Sequence, residues 1–411
     1  VIQKLKASVE FRLNLSYVIA QGLYWMMVCC TVSLGSTYLS NRGFSTVSIG
    51  ALFAVAYLLA TILQQVFSTI TDNSSRINVL DVLVVFGTLL ALVLLVACGT
   101  NGKSIATGVT FLLGAMLSTM LQPFLNALNF HIQKYNIKMN FGVARASGSF
   151  FFFVMSLLAG NLIKGVSEKA APVLGFIVTV IFIATIIWIY LELKNTGIKI
   201  EEIYDPFSST SKSRGLQVDT IKEFIVKYKM FFVFLIGLVG FLYGHLLINN
   251  FLYQLAVNVG GNEADVGGLL AWQAIVELPA MIFFAWLKDR FGSKNLLILS
   301  AVFYVIKIFT ASLASSVGLL YLCMTFQALS FAVYIPASVH FVDEIMTDND
   351  AVKGQAFITI AMTIGNLLSS LLGGIFIKII GVSASLWVGT VITLVGAIVA
   401  IYSLLLINDK K

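Results

Sequence analysis

Glu277 and Lys307 fall inside long apolar stretches, and Arg145 stands at the head of a third. An ionisable group at the centre of a membrane helix costs about 2.5–3.5 kcal/mol, so each must face a cavity or a partner. Glu277 offers a carboxylate that can load and release a proton or hold a solute; the alternative is a fixed partner for Lys307. Lys307 reads as a counter-charge displaced by solute or proton, or as half of a structural ion pair. Arg145 presents a rigid fork of donors suited to vicinal hydroxyls or a carboxylate; snorkelling to the interface is its other explanation. Histidine is the side chain suited by type to proton relay at physiological pH, so His245 and His340 join Glu277 and Lys307 as candidates for one. A buried histidine bonded to a neighbouring carbonyl is the alternative for both. His131 falls at the end of an apolar stretch, where an interfacial role fits. No set of histidines, cysteines or carboxylates has metal-ligand spacing, so no metal or other cofactor is expected.

Neutral polar residues accompany these charges. Gln21, Tyr24 and Trp25 share one helical face. Gln122, Asn126 and Asn129 follow in a later stretch, then Tyr243, Asn249 and Asn250. Trp272 and Gln273 precede Glu277, with Gln273 four residues before it on the same face. Gln327 and Asn366 complete the set. In a bilayer each amide must find a partner. Bonding between helices accounts for some of them. The remainder, with aromatic rings for stacking, would line a cavity for a polyol or sugar, and would equally suit a nucleoside.

The elements that position these residues are apolar spans. The chain has 411 residues, of which 59% are hydrophobic and 11% charged, whereas a soluble domain carries about 25% charged residues. That excludes an ordinary water-soluble enzyme, a disordered chain and a nucleic-acid binder. No Asp, Glu, Lys or Arg occurs in residues 13–41, 43–71, 82–102, 104–133, 146–163, 170–191 and 230–262. Residues 266–287 are interrupted only by Glu277, and 295–342 only by Lys307; the latter stretch is long enough for two spans. Residues 354–377 and 379–408 bring the expectation to twelve transmembrane helices. With the N-terminus inside, 20 of the 26 lysines and arginines fall on the cytoplasmic side and 5 opposite. This asymmetry predicts that both termini are cytoplasmic and accounts for the net charge of +7 as an orientation signal. No cleavable signal sequence is expected. The four cysteines do not form a disulfide framework. Pro123, Pro279 and Pro336 fall inside spans and are expected to bend them, either for gating or as static kinks.

The chain reads as two halves, 1–194 and 230–411, joined by a cytoplasmic linker over 195–229. Val218, Ile221, Phe224, Ile225 and Tyr228 predict an interfacial helix in that linker or an extension of the next span. The segment 157–164 (LLAGNLIK) is echoed by 371–378 (LLGGIFIK), an offset of 214 residues, and Asp72 by Asp289, an offset of 217. Such echoes point to two pseudo-symmetric six-helix bundles with a site between them at mid-membrane.

At these residues the sequence resembles the major facilitator superfamily. Asp289-Arg290-Phe291-Gly292-Ser293-Lys294 is similar to its Asp/Arg/Gly loop motif, and Thr71–Arg76 is a degraded copy. Phe141-Gly142-Val143-Ala144-Arg145-Ala146-Ser147-Gly148 resembles the Phe-Gly-Arg-Ala-Arg stretch of lactose permease and the oligosaccharide–proton symporters. Val276–Pro279 resembles the Glu-x-Pro motif of related permeases, and Lys307 falls where that group has a buried arginine. The resemblance implies an all-α fold and proton-coupled transport of a small polar solute, with Arg145 as a sugar ligand. The chain departs from the group at Asn126, where it has a glutamate, and at Phe326, Leu329 and Leu247, where coupling residues are missing. The expected function is therefore alternating-access transport of a sugar or oligosaccharide with protons. The alternatives are transport of an aromatic organic anion or nucleoside, and lipid flipping. No nucleotide-binding motif or nucleophile–base set is present, so neither ATP-driven transport nor an enzyme is expected. The expected partners are the solute, protons and membrane lipids, for a monomer in a bacterial cytoplasmic membrane.

Overall fold

The structure, a computed structural model, describes residues 2–74, 77–195 and 218–407. Residues 196–217 of the expected linker, Ser75 and Arg76 of the first loop, and Lys410 and Lys411 lie outside the described residues. Every regular element among the described residues is helical. Among the described residues, eleven segments are long and apolar enough to cross a membrane. The last, Asp350–Leu406, has 57 residues, nearly three times what a hydrocarbon core of about 30 Å needs at about 1.5 Å per residue. Its helix is broken at Gly381, where φ is 81° and ψ is 171°, a conformation essentially closed to residues with a Cβ. Where twelve separate spans are expected from the sequence, the structure therefore has eleven segments, with a break inside the longest.

The chain divides into two compact units. Unit 1 holds residues 1–203 and also takes in 252–257 and 261–275. Its first helices are α1 (Ile2–Val28), α2 (Gly35–Asn41), α3 (Thr46–Asn73) and α4 (Val79–Gly99); α5 (Ile105–Gln133), α6 (Phe141–Gly165) and α7 (Ala170–Asn195) follow. Polar caps set the starts: Ser45 accepts from Ser48 N, Ser104 from Thr107 N, and Asn78 and Asp81 form a reciprocal capping box. A π-helical turn, Cys29–Ser33, separates α1 from α2. α5 runs unbroken through Pro123.

Unit 2 holds residues 204–251, 258–260 and 276–411. Next along the chain come α8 (Val218–Lys227), α9 (Lys229–Asn250), α10 (Leu252–Asn258) and α11 (Glu263–Ile282). α12 (Phe284–Phe291), α13 (Ser293–Ser312), α14 (Val317–Thr325), α15 (Phe331–Ile345) and α16 (Asp348–Leu406) complete the chain. Among these, α10 and the first part of α11 belong to unit 1. In α8, Phe224 is buried against the unit 2 core and stacks on Phe357 at 5.7 Å, whereas Ile225 and Val226 are exposed. Lys227 bonds Asp350 at 2.6 Å, and that carboxylate holds the Lys227 ammonium above the usual lysine range.

The expected tenth span is discontinuous. α14 gives way to a short 3-10 turn, Phe326–Ala328, before α15 begins. Pro336 was expected to bend this span, yet α15 runs through it and the break lies upstream. Beside the break the Ser330 carbonyl accepts from the Tyr334 N–H at 3.0 Å and from Ser300 Oγ at 2.8 Å.

Candidate functional site

In unit 1 the polar groups collect where α1, α5 and α6 meet. Asn14 of α1 holds the start of α6: its Oδ1 accepts from Asn140 N at 2.9 Å and its Nδ2 donates to the Lys138 carbonyl at 2.8 Å. Asn140 in turn caps α6 by accepting from Val143 N. Arg145 follows five residues later, and its guanidinium lies over the Trp25 ring, 4.4 Å from the centroid. A Cβ at position 148 would collide with the Trp25 indole, so Gly148 is what lets α6 approach this ring. Ser147 Oγ donates to the Val18 carbonyl at 3.0 Å and ties the same two helices.

One turn along α1, Gln21 Nε2 donates to Asn126 Oδ1 at 3.2 Å and to the Tyr17 hydroxyl at 2.8 Å. The Tyr17 hydroxyl in turn donates to the Leu125 carbonyl at 3.2 Å. Tyr24 is buried and donates to the Ser118 carbonyl at 3.0 Å. The structure therefore brings Gln21, Trp25, Asn126 and Arg145 into one neighbourhood. Arg145, Trp25 and Asn126 are partly exposed, while Gln21 and Tyr24 are buried. In the part of α11 assigned to unit 1, Trp272 is 41% exposed, and Gln273 has a buried Oε1 with no hydrogen-bond partner among the described residues.

In unit 2 a buried polar chain runs across four helical segments. Glu277 of α11 is 8% exposed. Its Oε1 accepts from Gln327 Nε2 at 2.7 Å. Gln327, in the turn that breaks the tenth span, accepts at Oε1 from Lys307 Nζ. Lys307 of α13 is 0% exposed and also meets His245 Nδ1 at 3.2 Å. His245 of α9 meets the amide of Asn249 through Nε2 at 3.1 Å. The chain thus reads Asn249, His245, Lys307, Gln327, Glu277. Gln327 bridges the lysine and the carboxylate that the sequence set against each other. A buried charge is tolerable only when it is bonded in this way.

The other expected residues lie elsewhere. Asn250 donates to Ser370 Oγ at 2.9 Å and to Ser369 Oγ at 3.5 Å, as interhelical bonding would have it. Tyr243 is buried, with its hydroxyl unbonded among the described residues. Asn366 is partly exposed on α16. His340 stacks on Phe284 at 5.9 Å and is not bonded into the chain. His131 packs edge-on against Tyr135. At the loop motif, contacts are made by Ser293, which donates to Glu344 at 2.8 Å, and by Lys294, which donates to the Ile407 carbonyl at 2.7 Å. Asp289 and Arg290 are exposed. Among the described residues no group of three or more His, Cys, Asp or Glu is placed to hold a metal ion.

The sequence places Asn249 in the polar set of its span but does not join it to His245, and it gives Tyr304 no role. Asn249 follows His245 by four residues, the spacing that places two side chains on one helical face, and that signal was available. Tyr304 is one turn before Lys307, and its ring lies 5.4 Å from His245.

The MFS_1 like family matches residues 16–387. Multidrug resistance protein 2 of Bacillus subtilis (strain 168) is 26% identical over 141 residues, 34% of this chain and 35% of that protein; the aligned region spans about a third of that relative. Solved structures resemble far more of the chain. A variant of the nucleoside transporter NupG matches with a TM-score of 0.77 at 15% identity, over 96% of this chain and 99% of that one. A variant of the peptide transporter POT matches with 0.72 at 11% identity, over 96% and 93%. A bacterial homologue of the human lysosomal transporter Spinster, inward-facing and unoccupied, matches with 0.69 at 12% identity, over 98% and 97%. At these identities the likeness speaks for the fold.

Proposed function

Because this chain belongs to the MFS_1 like family, we propose that it is a secondary transporter carrying a small polar solute across a bacterial cytoplasmic membrane, with protons as the coupling ion. It acts as a monomer with both termini cytoplasmic, and the break at Gly381 makes twelve crossings out of the eleven apolar segments, six in each half of the sequence. The observation that carries the solute reading is the unit 1 cluster: a guanidinium on an indole face beside the Gln21–Asn126 amide pair. Planar groups for stacking and amides for hydrogen bonds suit a solute with a ring and hydroxyls, which favours a nucleoside. The shared fold with the nucleoside transporter NupG supports that choice. A sugar is the second reading, favoured by the Phe141–Gly148 stretch.

The coupling role falls to unit 2. Its chain holds one carboxylate, one lysine and one histidine in continuous contact, out of reach of bulk solvent. Such a chain can store a proton and pass it along. Solute affinity must then depend on the charge state of this chain, since coupling is reciprocal. Uptake of labelled uridine, adenosine and lactose into proteoliposomes, with and without an uncoupler, tests the reading. Uphill uptake of a nucleoside that collapses with uncoupler is expected. Lactose uptake alone would establish the sugar reading, and uptake indifferent to the uncoupler would remove proton coupling.

A further inference from the structure

We propose that His245 and Asn249 form a tautomer switch through which the buried Lys307 gives up and regains a proton. This rests on the proton-coupled reading above and names the group that carries the charge. The His245 ring is fixed in place, stacked on Phe331 at 5.1 Å and met edge-on by Tyr304 at 5.4 Å. Its two nitrogens therefore keep their partners: Nδ1 faces Lys307 Nζ at 3.2 Å and Nε2 faces the Asn249 amide at 3.1 Å. A neutral imidazole has one donor and one acceptor nitrogen, and a lysine amine accepts only when it is uncharged.

Two arrangements pair the two tautomers of the neutral ring with the two charge states of Lys307, and the Nδ1–H tautomer requires the amine to be uncharged. In the first, the Asn249 carbonyl oxygen accepts from Nε2–H, and Nδ1 accepts from the Lys307 ammonium. In the second, Asn249 Nδ2 donates to Nε2, and Nδ1–H donates to a neutral Lys307 amine. In the structure Asn249 Nδ2 lies against Nε2, while Asn249 Oδ1 is buried with no hydrogen-bond partner among the described residues. A half-turn of the amide exchanges its two atoms. The orphaned oxygen then finds a donor, and the backbone stays where it is. Asn249 is thus the element that lets either tautomer of His245 keep a partner at Nε2.

The surroundings of Lys307 fit this role. From α11, Glu277 reaches it through Gln327, so a negative charge accompanies the ammonium. From α14, the Cys323 thiol donates to the Lys307 carbonyl at 3.2 Å. Tyr304 precedes it on α13, with Tyr334 of α15 beyond, rings 6.3 Å apart. α16 presents the neutral Thr393, whose hydroxyl accepts from the Gly244 N–H beside His245 at 3.1 Å. Discharge breaks one Nζ–H bond of the ammonium and forms Nδ1–H on His245. The imidazolium then loses its Nε2 proton to water reaching the partly exposed Asn249, and the amide turns. One proton leaves, and recharging reverses each step.

The chain has three histidines, so histidine-selective 15N labelling of the full-length protein in lipid nanodiscs gives few signals, and His245→Gln assigns the one of interest. His245 should pass from the Nε2–H to the Nδ1–H form as pH rises from about 5 to about 10. Lys307→Met should remove that transition. Asn249→Asp, which can only accept, should hold the Nε2–H form and raise the midpoint by at least about one pH unit, a tenfold gain in proton affinity. A single tautomer across the range in the unmodified protein would overturn the switch, as would a transition that survives Lys307→Met. The unmodified protein decides the matter even if a variant fails to fold. Proteoliposome uptake separates this from the transport reading. A switching tautomer with gradient-independent uptake would sink proton coupling alone, and gradient-driven uptake with a static tautomer would sink the switch alone.

Discussion

Unit 1 and unit 2 each gather amides, aromatic rings and a cation, but they treat the cation differently. In unit 1 the Arg145 guanidinium rests on the Trp25 face in a partly exposed setting. A cation on an aromatic ring is worth about 0.5–2 kcal/mol, with loose directional demands. In unit 2 the Lys307 ammonium is fully buried and bonded on both sides, within a chain that ends at a carboxylate. A partly open cation suits a solute that arrives and leaves. A fully buried one, bonded on both sides, suits a particle as small as a proton. What separates the two roles is burial and bonding, since the residue types are nearly the same.

The comparison can be tested in order of expected effect. The largest belongs to Arg145. Charge-assisted hydrogen bonds are worth about 1.5–3 kcal/mol each, so Arg145→Ala should weaken solute binding by more than about 100-fold. Arg145→Lys should recover less than about tenfold, because an ammonium cannot reproduce the planar fork. Equilibrium binding to purified protein measures both, and full recovery by lysine would reduce Arg145 to a snorkelling residue.

Glu277→Gln should come next. Glutamine keeps the shape but removes the negative end of the unit 2 chain, so the accumulation ratio in proteoliposomes should fall to about 1 while counterflow persists. Unchanged uphill uptake would assign the carboxylate a purely structural role beside Gln327. Trp25→Ala should cost roughly 3–30-fold in solute affinity, the equivalent of about 0.5–2 kcal/mol, with Trp25→Phe losing less. An equal loss in both would mean that packing against Gly148, more than the π face, is what matters.

Smaller effects concern stability. Ser300→Ala removes one of two donors to the Ser330 carbonyl, which keeps the Tyr334 N–H, and should lower unfolding stability by about 0.5–1.5 kcal/mol, read as a drop in melting temperature with solute affinity unchanged. Lys227→Ala removes an exposed ion pair with Asp350 and should leave the melting temperature unaltered in physiological salt.

Much of the fold was legible because a membrane imposes a strong constraint. Lipid cannot satisfy backbone or charge, so charge-free stretches map onto helices such as Val79–Gly99 and Ala170–Asn195. The break before α15 was hidden: residues 326–330 contain neither glycine nor proline, and Pro336 drew attention to the wrong turn. Trp272 is 41% exposed, and exposure by itself does not separate a face on a cavity from a face on lipid. In helices that are apolar nearly all round, periodicity does not say which face turns inward.

The sequence by itself determined that the chain is helical and membrane-spanning, and it picked out Arg145, Glu277, Lys307 and His245 as residues that lipid would not tolerate. Only the tertiary structure decided how they are joined. Lys307 and Gln327 are 20 residues apart and Gln327 and Glu277 are 50 apart, so no local spacing records their contact. The physical reason is that the cost of burying a charge is a property of one residue, readable wherever that residue stands. The hydrogen bond that offsets the cost belongs to two residues, and packing alone brings them within reach.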